Sequence, residues 1–193
     1  MAARAPVLVL LLVAACAGAE APRRSAPARP PGPADFFPLA VGNTWTYLDR
    51  SPQQSAASHH TVRIVRREAG GYFADDQRGA LRVEGECLQD RVRRLLCAPL
   101  RPGHGWTSIV SPSVTEHYRI VAVEETVTVP AGTFAGCVRV RSQARVGGGE
   151  QIAELTYAPG VGLVRLETFA VREGPPAPQV HGELESYRLV AGK

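Results

Sequence analysis

The sequence has very little lysine, few aromatic residues and no apolar run long enough to cross a membrane. Lys193 is the single lysine among 22 basic residues, and aromatic residues make up 6% of the chain. A membrane-spanning helix needs about 20 apolar residues, whereas the uninterrupted run of valine and leucine covers only residues 7–13. This run is too short for a permanent helical anchor, and the low aromatic content argues against a large apolar cavity.

The chain also lacks the short motifs of common catalytic and metal sites. It has no HExxH, CxxC, GxSxG or Walker sequence and no dinucleotide-binding fingerprint. His59 and His60 lie in a polar stretch that predicts a solvated loop. The acidic pairs at positions 75–76 and 124–125 lack the ordered spacing of a calcium site. We therefore expect no catalytic residue, no metal site and no cofactor.

Charge is nearly balanced in the part of the chain that is expected to fold. The whole chain has 22 basic and 18 acidic residues. Four of the basic residues and one acidic residue precede position 34, which leaves 18 basic and 17 acidic residues. A domain without a net basic surface is not expected to bind nucleic acid.

The first residues predict export. A positive residue at position 4 precedes the apolar run, which is the order found in a secretory signal. Positions 13–16 read Val-Ala-Ala-Cys, which resembles a bacterial lipobox and implies that residues 1–15 are a signal peptide and that Cys16 is lipidated. Ala17 stands where an aspartate would change sorting, so the outer membrane is favoured. The alternative is an ordinary signal peptide followed by an unmodified cysteine.

Residues 16–35 predict a lipidated cysteine followed by a tether. Five prolines and three arginines occur between positions 17 and 35, without a large apolar residue. Such a segment cannot bury a core and should stay extended and solvated. Residues 36–193 remain, enough for one domain with a sizeable core.

The hydrophobic pattern of this domain has period two. Glycine- and proline-rich turns separate the alternating segments, which lie at residues 62–64, 81–84, 118–120, 138–141, 151–157, 162–171 and 183–190. The pattern predicts an all-β fold, an antiparallel sandwich or half-open barrel of about nine to eleven strands.

One phrase, Pro-Leu-x-x-Gly-x-x-Trp-Thr, occurs at residues 38–46 and again at residues 99–107. We interpret Gly42 and Gly103 as turn residues with positive φ. Trp45 and Trp106 are then structural anchors whose indole N–H groups reach backbone partners. On this hypothesis the copies open two related halves of the sheet. The alternative is a pair of exposed tryptophans that bind a ligand.

Three segments resemble a known family. FPLAVGNTWTY at residues 37–47, VTVPAGTFAGC at residues 127–137 and YAPGVGLV at residues 157–164 are similar to motifs of the TapB-like family of bacterial secreted and lipoprotein β-domains of unknown function. The resemblance covers residues 36 to about 190. It implies an all-β envelope domain and no known activity.

Three cysteines remain after Cys16. In an oxidising compartment one disulfide is expected, and Cys87 with Cys97 is the candidate pair because the nine residues between them could form a hairpin. Three cysteines allow other single pairings. Cys137 matches the family's cysteine and should be a free thiol at a strand entry, in the same phase as Arg139 and therefore not deeply buried.

Two functional classes remain open. The first is a non-catalytic envelope lipoprotein that binds another envelope protein or a cell-envelope component, with the membrane as a partner through Cys16. The second is a periplasmic carrier that holds an apolar ligand in a half-open barrel. A dry apolar pocket above about 300 Å³ would favour the carrier.

Overall fold

Alternating residues form antiparallel strands throughout the described chain. The computed structural model describes residues 29–190, and a compact unit begins at Pro31. A short helix, α1 (Pro33–Phe36), lies across the predicted end of the tether, and a 3₁₀ turn lies at Ala69–Gly71. The strands are β1 (Thr44–Arg50), β2 (Ser58–Arg67), β3 (Phe73–Asp75), β4 (Ala80–Glu84), β5 (Cys87–Gln89), β6 (Arg94–Cys97), β7 (Gly105–Ser111), β8 (Val114–Val129), β9 (Gly132–Val146), β10 (Gly149–Ala158), β11 (Gly162–Val171) and β12 (Ala177–Arg188).

All twelve strands belong to one sheet, in the order β6-β5-β4-β3-β2-β1-β12-β11-β10-β9-β8-β7. The sheet consists of two six-stranded meanders, β1–β6 and β7–β12, which pair antiparallel through β1 and β12. The predicted all-β antiparallel class is confirmed, and the sheet is a nearly closed barrel. It has twelve strands instead of nine to eleven, because strands of three residues such as β3 and β5 are too short to alternate visibly.

Side chains close the barrel where the two end strands, β6 and β7, meet; we call this contact the seam. The backbone N–H of Arg94 donates to the Ser108 hydroxyl at 2.9 Å, and its guanidinium donates to the Thr107 carbonyl at 2.6 Å. The indole of Trp106 donates to the Arg94 carbonyl at 2.7 Å. Side-chain hydrogen bonds therefore hold the seam.

The hydrophobic core fills the inside of the barrel and draws on both meanders. Its largest fully buried apolar side chains are Trp45, Leu88, Leu96, Ile120, Val140, Val164 and Leu184. Leu88 and Leu96 come from the short strands β5 and β6, and each is 0% exposed. Burying a leucine side chain stabilises a fold by about 1.5–3 kcal/mol, so even these short strands contribute to core stability.

The first copy of the repeated phrase forms a turn that leads into β1. The Gly42 N–H donates to the Ile64 carbonyl at 2.8 Å, and the Ile64 N–H donates to the Asn43 carbonyl at 2.9 Å. Asn43 also donates its own N–H to the Ala40 carbonyl at 3.1 Å. Gly42 has a φ of +99°, which a side chain would strain.

The second copy makes the same bonds and leads into β7. The Gly103 N–H donates to the Ile120 carbonyl at 2.8 Å, the Ile120 N–H donates to the His104 carbonyl at 2.9 Å, and His104 N–H donates to the Arg101 carbonyl at 3.2 Å. Gly103 has a φ of +85°. Each copy thus opens one six-stranded meander with the same hydrogen-bond pattern.

Candidate functional site

The side chains on the inner face of the second meander change from large and apolar to small or polar toward one end of the barrel. Residues that face each other across antiparallel strands lie on one face of the sheet. Deep in the barrel the facing residues Val140, Leu155 and Leu166 are apolar. Two and four positions further along each strand the facing residues are small or polar: Ser142 and Ala144 on β9, Ala153 and Gln151 on β10, and Thr168 and Ala170 on β11.

These small side chains leave a cavity of about 330 Å³ at this end of the barrel. The cavity is lined by residues of β8 to β12 only: Glu116, Ser142, Ala144, Val146, Gln151, Ile152, Ala153, Thr168, Phe169, Ala170 and Gln179. Its volume lies at the lower end of the range for small-molecule sites, about 300–1,000 Å³. The lining mixes hydrogen-bonding and apolar groups, so this is not the dry apolar pocket of a typical apolar carrier.

Glu116 is the charged residue of the lining and is tied across the seam. Arg93, in the connection between β5 and β6, donates from Nε to both Glu116 carboxylate oxygens at 3.1 and 3.0 Å. The Tyr118 hydroxyl donates to the same carboxylate. Arg93 also lies 3.9 Å from a carboxylate oxygen of Asp90. The carboxylate charge is therefore compensated, and the cavity is close to neutral.

Three buried tyrosines lie further inside. Tyr47, Tyr118 and Tyr157 are 8%, 5% and 2% exposed. Burial raises the pKa of each phenol well above its ordinary value, and the Glu116 carboxylate raises the pKa of Tyr118 further. All three hydroxyls are therefore protonated donors at neutral pH.

The three phenols differ in their partners. Tyr47 donates to the Leu163 carbonyl at 3.1 Å, and Tyr118 donates to Glu116. The Tyr157 hydroxyl has no hydrogen-bond partner among residues 29–190. In that range the fully occluded side-chain atoms without a partner are the Nε atoms of two arginines. The Tyr157 hydroxyl is thus not completely enclosed by packed atoms.

Ion pairs cover the outer face of the long strands. Glu154 on β10 accepts from Arg139 at 3.0 Å and from Arg141 at 2.8 Å, and Arg139 also bonds Glu125 at 3.0 Å. Glu154 is only 8% exposed because these arginines lie over it. The network ties β8, β9 and β10 together and leaves the inside of the barrel as the place for a ligand.

The two predicted anchor tryptophans occupy different environments. Trp45 is 1% exposed and donates to the Val161 carbonyl at 2.7 Å. Trp106 is half-buried at the seam and donates to Arg94. Both indoles have the backbone partner expected of an anchor, and each partner lies in the other meander. Trp106 is less buried than expected, because β7 is an end strand of the sheet.

The cysteines are placed as follows. A disulfide joins Cys87 to Cys97 across the paired strands β5 and β6, and Cys137 is a free thiol. Cys137 is 0% exposed, so the expectation that it is not deeply buried is wrong. Cys137 and Val138 are consecutive and both buried, where the pairing of β8 and β9 is irregular on both sides of Glu125, the residue opposite Cys137. Burial raises the pKa of the Cys137 thiol. Cys16 lies outside the described residues.

The histidine pair lies in a strand and not in the predicted loop. His59 and His60 belong to β2. His60 stacks on Tyr47 with ring centres 5.2 Å apart. The Nδ1 atom of His60 lies 2.7 Å from the Asp49 carboxylate, and the Nδ1 atom of His59 lies 2.9 Å from the Glu185 carboxylate. The polar composition of the segment hid the strand because the first four residues of β2 are all exposed and show no alternation.

Residues 29–190 hold no group of three or more potential metal-ligating side chains. In the same part of the chain, helices long and apolar enough to span a membrane are absent. The acidic pair at positions 75–76 is used in turns: Asp75 accepts from the Gly79 N–H at 2.7 Å, and Asp76 accepts from the Arg63 N–H at 3.0 Å.

Sequence reasoning missed the residues around the cavity, namely Arg93, Glu116, Tyr118, Ser142 and Tyr157. A signal was present in the alternating positions 138–146, where two valines are followed on the same face by serine and alanine. A polar or small residue at an inward position is the pattern that marks an unfilled part of a barrel.

No protein-family model and no curated protein matches the chain. Two solved structures resemble it. One, from Bacteroides fragilis, is described as an exported protein with a YmcC-like fold; it is 16% identical, with a TM-score of 0.51, and covers 80% of this chain and 99% of its own. The other, from Parabacteroides distasonis, is described as a lipoprotein; it is 13% identical, with a TM-score of 0.47 and the same coverage. The barrel of this protein is therefore similar to the YmcC-like fold.

Proposed function

We propose that the protein is an outer-membrane lipoprotein, anchored through Cys16, whose barrel is a non-catalytic binding domain. The observation that supports this function is the cavity in the second meander, which combines hydrogen-bonding side chains with a compensated charge at Glu116. Ser142, Gln151 and Thr168 offer recognition groups around it. A lining of this kind suits binding of an envelope component rather than a chemical step.

Two further points support the envelope part of the proposal. The similar Bacteroides fragilis protein is described as exported, and the Val-Ala-Ala-Cys sequence at positions 13–16 predicts that this chain is exported too. The three segments that resemble the TapB-like family of secreted and lipoprotein domains point in the same direction, and we propose that relationship for this chain.

The anchor is tested by replacing Cys16 with serine. Cys16→Ser should move the protein from the membrane fraction to a soluble or uncleaved form, and a Cys137→Ala variant should stay with the membrane. Fractionation with mass spectrometry of the N-terminal peptide measures both. A processed Cys16→Ser protein that still requires detergent contradicts the lipid anchor.

The binding role is tested by filling the cavity. Native mass spectrometry of protein purified from the envelope should detect a small molecule retained by the parent chain and lost from Ala153→Leu, because the leucine occupies the cavity. The matched control is Ala135→Leu, which places the same side chain at an exposed position of β9. If the parent and Ala153→Leu chains give identical spectra with no bound mass, the cavity is not a binding site.

A second function, a carrier of an apolar ligand, is favoured by the cavity volume of about 330 Å³, which exceeds the threshold of about 300 Å³ for such sites. The polar lining places it second. Identification of a hydrocarbon without polar groups in the native spectra would reverse the order.

A further inference from the structure

We propose that the cavity extends inward to Tyr157 and takes a small, electrically neutral amphiphile whose oxygen atoms accept hydrogen bonds from the barrel. This inference rests on the proposed binding function and names the ligand class of the same site. Three observations lead to it: the cavity itself, the Tyr157 hydroxyl without a partner, and the charges around both.

The geometry provides a row of inward positions from the cavity toward the tyrosines. Tyr118 faces Ser142 across β8 and β9, and Ser142 faces Ala153 across β9 and β10. Ser142 and Ala153 line the cavity. Tyr118 is therefore the neighbour through which the cavity meets the inside of the barrel.

Tyr157 is the donor that the fold leaves unused. It is 2% exposed, and its hydroxyl has no protein partner among the described residues and is not completely enclosed by packed atoms. Buried hydroxyls without a partner are costly and uncommon. Tyr157 lies near enough to Tyr118 and Tyr47 to raise the pKa of both phenols. A ligand oxygen in the inner part of the cavity would satisfy it.

The charges select against an anion. Glu116 is the charged side chain of the lining, and the cation nearest to it, Arg93, is already bound to both of its oxygens. The carboxylate of Asp90 lies beside the same arginine and adds negative potential at Tyr157. The two carboxylates share the guanidinium of Arg93, so an anionic ligand would add a third negative group around one positive group, which is costly away from water.

The remaining surface fits a short apolar body. Ala144, Ala153 and Ala170 leave the volume, and Val146 adds apolar surface at the outer end. Hydroxyl and amide groups of Ser142 and Gln151 lie among them and can bind further ligand oxygens. The combination of neutral donors and small apolar side chains defines an amphiphile with an uncharged polar part.

The experiment compares three probes that share an eight-carbon chain: monooctanoylglycerol, octanoate and octyltrimethylammonium. All variants are made in the full chain with Cys16→Ser, so that no acyl chain of the protein competes for the cavity. Isothermal titration calorimetry measures the affinities. We expect monooctanoylglycerol to bind at least about tenfold more tightly than either octanoate or octyltrimethylammonium. Ala153→Leu should abolish its binding, whereas Ala135→Leu should not.

Tyr157→Phe tests the inner end with an almost isosteric change. It should weaken monooctanoylglycerol about fivefold, the effect of one neutral hydrogen bond, without lowering the melting temperature. The matched control is Tyr47→Phe, which removes a hydroxyl already bonded to the Leu163 carbonyl. That control should lower the melting temperature and leave the affinity unchanged.

The neutral-ligand inference is overturned if octanoate or octyltrimethylammonium binds as tightly as monooctanoylglycerol, or if no probe binds. An unchanged affinity in Tyr157→Phe overturns the extension to Tyr157. Native mass spectrometry of the envelope-purified protein tests the binding function separately. If it detects a bound mass that Ala153→Leu loses, the binding function stands even when the calorimetry contradicts this ligand class.

Discussion

The two copies of the repeated phrase have the same backbone and different surroundings. The Gly42 and Gly103 turns make matching hydrogen bonds, yet Trp45 is 1% exposed and Trp106 is half-buried. β1 pairs with a strand on each side, whereas β7 pairs only with β8 and ends the sheet. Local sequence therefore sets the turn and the strand entry, and the position of the strand in the sheet sets how deeply the tryptophan is buried.

The two meanders also differ, in the length of their strands. β3 to β6 have three to five residues each, whereas β8 to β12 have ten to sixteen. The short meander supplies core leucines, a disulfide and the Arg93 that crosses the seam. The long meander extends its inner face beyond the packed core, and all residues that line the cavity belong to it. One meander thus stabilises the fold, and the other carries the candidate site.

The tryptophans give the largest expected difference. Trp45→Ala should lower the free energy of unfolding by about 3–5 kcal/mol, the usual cost for a buried tryptophan. Trp106→Ala should cost about half as much, since part of its ring already meets water and its main role is one bond at the seam. Urea unfolding followed by circular dichroism measures both. Equal losses would mean that the seam contributes as much stability as the paired junction of β1 and β12.

Loss of the disulfide should destabilise only the first meander, β1–β6. Replacing both Cys87 and Cys97 with serine should cost about 2.8 kcal/mol on the chain-entropy model for a loop of this length. Hydrogen exchange should show lost protection in β5 and β6, with β9 and β10 unchanged.

Mass spectrometry of a non-reduced digest provides the covalent check on the same pair. It should find a linked peptide that contains Cys87 and Cys97 and an unlinked peptide that contains Cys137. A peptide that links Cys137 to either of the other two contradicts the pairing.

In the hydrogen-exchange experiment, amide protection lost equally throughout the barrel would show that the two meanders unfold as one unit.

The strands and the entry turns could be predicted because they depend on neighbouring residues. Alternation over residues 162–171 gave the bounds of β11, and the glycines of the repeated phrase gave both turns. The hairpin between Cys87 and Cys97 was also local, since only nine residues lie between them.

The cavity and its residues depend on relations that sequence spacing does not contain. Glu116 meets Arg93 only because the seam brings together the two ends of the sheet. Tyr157 is unusual only because no neighbour satisfies its hydroxyl. Cys137 is buried at a place where register shifts interrupt the alternation of β8 and β9. Register, closure and irregular pairing are properties of the whole barrel, so the alternating pattern could not reveal them.

The two glycines give the smallest difference and separate backbone strain from side-chain contact. A residue with a side chain at positive φ costs about 1–2 kcal/mol, and this cost applies to Gly42→Ala and Gly103→Ala alike. A Cβ at Gly42 would also lie 3.1 Å from the Val190 side chain, whereas a Cβ at Gly103 meets nothing within 4 Å. We expect Gly42→Ala to be the more destabilising by about 0.5–1 kcal/mol in urea unfolding. This is less than the usual overpacking cost of about 1–3 kcal/mol, because Val190 is an exposed side chain that can move.

Asparagine tolerates positive φ better than alanine does, so it tests the backbone contribution at each glycine. Gly103→Asn should recover most of the stability that Gly103→Ala loses, because strain is the whole cost at that position. Gly42→Asn should recover less, because its Cβ still meets Val190. A double-mutant cycle combines Gly42→Ala with Val190→Ala and subtracts the separate effect of Val190→Ala. The stability that Gly42→Ala then loses should equal the loss in Gly103→Ala. If both alanine variants lose the same stability and the cycle shows no coupling, the packing around the two turns is equivalent, and the difference between the two copies is limited to their tryptophans.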